Sequence, residues 1–215
     1  MEIKPIATYR GPFGSKFGIP RQSSLANTEG RIVFLKEYSV KEALRGLEGF
    51  DHIWLIWEFN ANKEAKGEWQ PTVRPPRLGG NTAMGVFATR SPYRPNPLGL
   101  SCVELTAIEN GELVVKGADL MDGTPIFDIK PYLPYADSFP EAKAGFAQEA
   151  PETKLKVVVP SDIAIGPEVK GILSLDPRPA YQDAPGKVYG MLYAGRDIKF
   201  KVEGDTLTVL SAEKA

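Results

Sequence analysis

Apolar residues along this chain fall into short runs bounded by Gly, Pro and charged side chains, and almost nowhere at helical spacing. Arg31 to Lys36 (RIVFLK), Met84 to Thr89, Leu100 to Ile108, Glu112 to Ala118 and Ile126 to Lys130 each predict a strand. His52 to Phe59 (HIWLIWEF) is apolar on both alternating sets and predicts a strand buried on both faces. Glu109-Asn110-Gly111 predicts a hairpin turn between its neighbours. The opening IKPIATYRGPFGSKFGIPRQ reads as a short strand followed by a long Gly/Pro loop, and Glu64 to Asn81 as a second loop. Ser39 and Glu42 have capping-box spacing, which predicts a short helix over Val40 to Arg45 that stops at Gly46.

After Tyr135 the texture changes. Ala136 to Thr153 is small and polar, Lys154 to Val159 predicts a strand, and Pro167 to Leu175 a short helix. Tyr189 to Ala194 and Ile198 to Val209 predict further strands, with a turn at Glu203-Gly204-Asp205. The expected architecture is mainly β: a barrel over residues 1–137 and a small α+β domain over 138–215.

One segment resists both readings. TRSPYRPNPLGLS, Thr89 to Ser101, sets three prolines and two arginines between strand-like runs. Proline fixes φ and removes a donor, so Pro92, Pro95 and Pro97 stiffen a loop that carries Arg90 and Arg94. Either the loop is pre-organised for an anion, or it is a rigid turn with solvated arginines.

Composition narrows the chemistry. The 215 residues are 42% hydrophobic and 25% charged, enough for a core without metal or disulfide support. The formal net charge is -1, so any polyanion must find a local patch. Such a patch exists: Lys63, Lys66, Arg74, Arg77, Arg90 and Arg94 face only Glu64 and Glu68 in the same stretch. The single cysteine excludes an intrachain disulfide framework and a Cys-rich zinc site. MEIKPIATYR lacks the apolar run of a signal peptide, and no apolar segment is long enough to span a membrane, so a cytoplasmic setting is expected.

No G-x-G-x-x-G, Walker or G-x-S-x-G element is present. His52, the only histidine, reads as a strand-end residue, Cys102 as a small core residue, and Trp54 and Trp57 as core. Trp69 precedes Pro71 in a loop, where it either packs or offers its ring to a base. What remains for chemistry is Arg, Asp, Asn, Tyr and backbone, gathered at Pro20–Gln22, Thr72–Asn81, Thr89–Ser101, Asp119–Gly123 and DPRPAY (Asp176–Tyr181).

KFGIPRQ, LRGLEGFDHIWLIWEF, PTVRPPRLGGN, MGVFATRSPYRPNPLGLSCVEL and LMDGTPIFDIKPYLPYADS together resemble the TsaA-like, or TrmO, family. The likeness runs from Ile3 to Ser138 and returns at DPRPAY and GKVYG. It implies a β-barrel with a small C-terminal domain, a homodimer, and an S-adenosylmethionine-dependent tRNA methyltransferase. The implied reaction is methylation of N6 of threonylcarbamoyl-adenosine next to the anticodon, with tRNA as partner and no metal.

Carried across by motif, the implied cofactor contacts are Pro20, Arg21, Gln22, Arg90, Asp119, Leu120, Met121 and Asp122. Where several members carry His-Gln after the apolar strand, this chain has Asn60-Ala61; Asn60 keeps a hydrogen-bonding group, and Ala61 offers only backbone or methyl. A guanidinium of Arg21 or Arg90 suits the cofactor carboxylate, and Asp119 or Asp122 its hydroxyls or amine. Asp128, Tyr132 and Asp176 are candidates for the base, and Arg74, Arg77, Arg94, Arg178 and Tyr181 for RNA contact. Two alternatives stay open: a same-fold methyltransferase with another acceptor, and a non-catalytic RNA-binding or cofactor-sensing module.

Overall fold

In the computed structural model, which describes residues 2–60, 69–149, 155–178 and 186–215, antiparallel pairing closes six strands into a barrel. They are β1 (Ala7–Arg10), β2 (Glu29–Phe34), β3 (His52–Glu58), β6 (Leu98–Glu109), β7 (Glu112–Lys116) and β8 (Pro125–Pro131), in the order β1-β2-β7-β6-β3-β8. Closure removes the exposed edges that an open sheet would leave. Between β3 and β6 lies a two-stranded ribbon, β4 (Thr72–Val73) with β5 (Met84–Gly85). The turn after β6 forms as its residues dictate: Asn110 and Gly111 both adopt positive φ, 53° and 79°, the twist a tight hairpin needs.

A second sheet of β9 (Lys156–Val158), β10 (Val188–Tyr193), β11 (Arg196–Glu203) and β12 (Thr206–Lys214) has the order β10-β11-β12-β9, with β9 parallel to β12. One face is covered by the helix Pro167–Ser174, which buries Val169, Ile172 and Leu173. Each lobe has its own core. Tyr9, Ile32, Ile53, Leu55, Trp57, Val103 and Leu120 fill the barrel. Met191, Ile198, Phe200, Leu207 and Val209 fill the second lobe.

The lobes are interlocked. Phe13, Phe17, Ile19 and Ala26, all from the loop after β1, belong to the second core. Phe13 bridges to Tyr193, and Phe17 stacks on Tyr189 and Phe200 at 6.2 Å each. The Gly/Pro loop is thus nailed to the far lobe just before it reaches Pro20, Arg21 and Gln22.

Several local expectations need correction. The segment over Val40 to Arg45 is a 3-10 turn, Lys41–Leu44, whose cap receives no side-chain hydrogen bond, so the Ser39/Glu42 capping box does not form. A single short turn satisfies itself through the backbone and leaves no stack of orphan N–H groups to cap. Met84 to Thr89 is not one strand: the chain leaves β5 and coils into a 3-10 turn, Val86–Ala88. β3 buries Ile53, Leu55 and Trp57 but leaves Trp54 and Ile56 half-exposed on the barrel's outer face, so it is not covered on both sides. Trp54 there donates to Asp137 at 3.0 Å, and its strand partner Cys102 is half-buried beside it rather than in the core.

Candidate functional site

At the mouth of the barrel, where the loop after β1, the end of β3, the start of β6 and the turn after β7 meet, a cleft of about 470 Å³ opens. That is the size of a small-molecule site. Pro20, Arg21, Gln22, Asn60, Arg90, Asp119 and Met121 all line it, although they come from four separate stretches of chain. Arg94 lines it too.

A polar chain runs from the barrel interior into this cleft. Trp57 Nε1 donates to Ser101 Oγ at 3.0 Å, and Ser101 Oγ donates to Asp119 Oδ1 at 2.5 Å. Gly99 makes room for the indole: a Cβ there would sit 2.2 Å from the Trp57 ring. Burial pushes the Asp119 carboxyl above the usual carboxylate range, against the opposing pull of the Ser101 hydrogen bond and the Arg90 charge. Asp119 is the one carboxylate among the described lining residues. A partly buried carboxylate of this kind favours a cation or hydroxyl donor beside it.

Opposite, Arg90 Nη1 donates to Gln22 Oε1, and Arg21 Nη2 reaches the Arg178 carbonyl at 3.3 Å. Neither guanidinium has a carboxylate ion-pair partner among the described contacts. The turn below is pinned: Asp122 N–H donates to Phe13 O at 2.8 Å, Gly123 N–H to Tyr9 O at 2.9 Å, and Thr124 Oγ to Met121 O at 2.7 Å. The cleft therefore offers the cations Lys16, Arg21, Arg90 and Arg94 and the carboxylate of Asp119, with Trp57, Phe59, Leu98 and Leu100 as its apolar surface.

Other predicted residues fall elsewhere. The Leu120 side chain is buried in the barrel core, which leaves only its backbone for a ligand. Asp122 turns away, accepting from Gly11 N–H at 3.1 Å and facing Arg10 at 3.6 Å. Ala61 and Tyr181 lie outside the described residues. Arg178 grips Asp176 in a two-pronged pair, Nε–Oδ1 2.8 Å and Nη2–Oδ2 2.9 Å, so the two candidates engage each other. Asp128 accepts from the Ile129 N–H and pairs with Lys130 at 3.3 Å, while Tyr132 packs its ring 5.9 Å from Trp54. None of Asp128, Tyr132 and Asp176 lines the cleft. Arg74 and Arg77 lie outside it on the exposed ribbon loop, with Arg77 donating to the Glu149 carbonyl. Among the described residues, no group of three or more His, Cys, Asp or Glu is placed to hold a metal, and no helix is long and apolar enough to cross a membrane.

Leu98 and Leu100 are among the contributors that sequence reasoning missed, with Lys16, Phe59, Thr89 and Thr124. Along β6 the residues facing inward are Gly99, Ser101 and Val103, while Leu98 and Leu100 face out, Leu100 with 56% of its surface exposed. That inverts the usual apolar-in, polar-out alternation, and the inversion is legible in LGLSCVEL.

Comparison with known proteins agrees with this architecture. A family model described as the tRNA-methyltransferase O N-terminal domain matches residues 8–138, and the TrmO C-terminal domain matches 152–215. The chain is 38% identical to the tRNA (adenine(37)-N6)-methyltransferase of Escherichia coli, across 99% of this chain and 97% of that protein. It is 42% identical to a putative S-adenosylmethionine-dependent methyltransferase, RcsF, of Pseudomonas aeruginosa, across 88% of this chain and 87% of that one. The crystal structure of TrmO from P. aeruginosa superposes with a TM-score of 0.81 at 33% identity, covering 100% of this chain and 97% of that one. The chain belongs to the TrmO family.

Proposed function

We propose that this member of the TrmO family transfers a methyl group from S-adenosylmethionine to N6 of adenine 37 in tRNA, and that its acceptor is the threonylcarbamoyl form of that base. The observation that carries the reading is the convergence of Pro20–Gln22, Asn60, Arg90, Asp119 and Met121 on one cleft at the barrel mouth. The chemistry of the lining fits the donor. Arg90 and Arg21 can hold its carboxylate, Asp119 its ammonium or ribose hydroxyls, and Trp57, Leu98 and Leu100 its adenine face.

When bound, S-adenosylmethionine supplies an electrophilic methyl on a sulfonium. The chain's own part is to align that methyl with the N6 lone pair and to keep water out, which is where most of the rate gain of a direct displacement lies. Methyl transfer leaves the sulfur neutral. Once methylated through its lone pair, the N6 nitrogen carries one proton too many and must release it. Asp119 or a water in the cleft takes that proton, since the three carboxyl and phenol candidates named from sequence stand outside the cleft. The barrel of residues 1–137 thus carries the donor site, and the domain of 138–215 braces it through Phe13, Phe17 and Ile19. Homodimer formation is part of the proposal, as is a cytoplasmic place of work alongside tRNA. The outward leucines beside the cleft are a surface that a second copy would cover.

Calorimetry with S-adenosylmethionine, followed by nucleoside mass analysis of tRNA from a strain lacking the protein, tests both levels. Binding of the donor and restored methylation of threonylcarbamoyl-adenosine are expected. Methylation of an unmodified adenine 37 instead would overturn the finer substrate, and absence of donor binding would leave only an RNA-binding module.

A further inference from the structure

From Trp69 to Arg94 the chain carries Arg74, Arg77, Arg90 and Arg94 and not one Asp or Glu. The same stretch holds three aromatic rings out into solvent. Phe87 is 72% exposed, and Trp69 and Tyr93 are each 47% exposed. Trp69 and Phe87 lie near-parallel, 21° apart with centroids at 6.3 Å. The Arg94 guanidinium sits 5.8 Å from the Phe87 centroid.

These rings are held, not adrift. Phe87 is the middle residue of the 3-10 turn Val86–Ala88, and the Val86 carbonyl accepts three times: from Thr89 N–H at 3.1 Å, Thr89 Oγ at 2.8 Å and Arg94 Nη1 at 3.2 Å. Arg94 also donates to the Thr89 carbonyl at 2.8 Å. Trp69 is tied to the same frame, since its neighbours Gln70 and Pro71 bond to Tyr93 O and Val86 N–H at 3.4 and 3.0 Å. A fold that spends this many hydrogen bonds to keep a phenyl ring in water does not need that ring for its core. Thr89, Arg90 and Arg94 meanwhile line the cleft, so ring and cleft share one stiff loop.

We propose that the Trp69–Phe87 pair is a stacking platform for an unpaired base of the substrate RNA, next to the nucleotide that enters the cleft. The proposal rests on the tRNA reading above and names the residues by which that substrate is positioned. Parallel aromatic faces bind any base by stacking, and the arginines of the same stretch, which has no Asp or Glu between Trp69 and Arg94, supply the backbone attraction. Trp69 and Phe87 are positioning residues; they touch neither donor nor reacting atom.

The test uses the full chain, an anticodon stem-loop RNA and a fully paired hairpin of equal length. Stem-loop RNA, and not the paired hairpin, is expected to quench tryptophan emission, and Trp69→Ala to abolish the quench. Trp69→Ala and Phe87→Ala should each raise KM for tRNA by about tenfold, the scale of one lost base–aromatic stack, with kcat and S-adenosylmethionine affinity unchanged. Trp69→Phe should restore most of the affinity. Unchanged tRNA affinity in both alanine variants overturns the platform while leaving the methyltransferase reading intact. So does a dissociated oligomer with RNA affinity preserved, which would assign the rings to a second copy. Failure of the unaltered protein to bind the stem-loop RNA removes both readings together.

Discussion

The barrel and the second sheet are built from the same material, short antiparallel strands with tight turns, yet they obey the pattern rules differently. In the second sheet three of the four strands alternate along most of their length: Tyr189, Met191 and Tyr193 face in, then Ile198, Phe200 and Val202, then Leu207 and Val209, with Val158, Val188 and Leu210 exposed at its margins. Its charges pair along the surface, Asp197 with Lys199 at 2.7 Å and Glu203 with Lys201 at 3.0 Å. In the barrel the rules fail at one end. Ser101 faces the interior, Asp119 lies largely buried behind it, leucines face out on β6, and an adjoining loop exposes a phenylalanine. Departures of this kind cost stability and persist where a ligand compensates. On the proposed reading, one lobe is scaffold and the other is scaffold with the candidate site cut into it.

The comparison breaks first, and most heavily, if the second sheet is more than scaffold. Phe200 is fully buried between Phe17 and Tyr189. Phe200→Ala should cost about 3–5 kcal/mol by transfer and cavity terms. Because Phe17 anchors the loop that ends at Pro20–Gln22, donor affinity should fall with it. Chemical denaturation alongside calorimetry checks this; loss of stability with donor affinity intact would mean that the two lobes are uncoupled.

A smaller effect, confined to the cleft, is expected at Arg90. Truncation removes a charge-assisted contact, about 1.5–3 kcal/mol, and Arg90→Ala should weaken S-adenosylmethionine by roughly 10–150-fold with little change in thermal stability, since the side chain is exposed. Arg77→Ala should leave donor affinity as it is. Equal donor affinities for the two variants would move the site.

Much of this division was legible in the residues, for physical reasons that can be named. Period-two alternation and Asn-Gly chemistry are local, so the strands and the turn at Asn110-Gly111 were readable. Proline stiffening is local too, which is why Thr89–Ser101 stood out as a rigid loop. Resemblance, not periodicity, pointed to Pro20–Gln22, Arg90 and Asp119 as one site. What escaped was set by distant contacts. No local pattern says that Phe13 and Phe17 will pack 170 or so residues away, against Tyr193 and Tyr189. Nor could HIWLIWEF reveal that one of its faces lies on the outside of a closed barrel, where an apolar run looks the same as in a sandwich core. Arg94 looks like a free cation in sequence, but its donors go to its own loop's carbonyls.

The carboxylate at the base of the cleft offers a milder test. Burial raises the Asp119 pKa, so the folded state holds its proton over a range where the unfolded chain has released it. Stability from this group is therefore greatest below the ordinary carboxyl value, about 4, and falls as pH rises from there to the raised folded value. Asp119→Asn removes that loss. Its Tm, compared with the unaltered protein, should gain more at pH 7 than at pH 4, while donor binding falls. A gain of equal size at both pH values would mean that the carboxylate pays no burial penalty, and the cleft would lose its reason to favour a cation.

The smallest expected effect lies outside the cleft, at Arg77. Its guanidinium donates to a carbonyl and has no ion-pair partner among the described contacts, on an exposed loop with no acid between Trp69 and Arg94 in the chain. If that loop carries tRNA phosphate, Arg77→Ala should weaken binding by a similar factor on every tRNA tested. It should also flatten the plot of log affinity against log salt by about 0.7–0.9, the counterions released by one phosphate contact. Trp69→Ala should weaken binding without altering that slope, because stacking releases no counterion. Opposite responses in slope from two residues of one loop would separate charge from stacking more sharply than either affinity alone. A shared slope change would mean that the ring and the arginine act through the loop's shape.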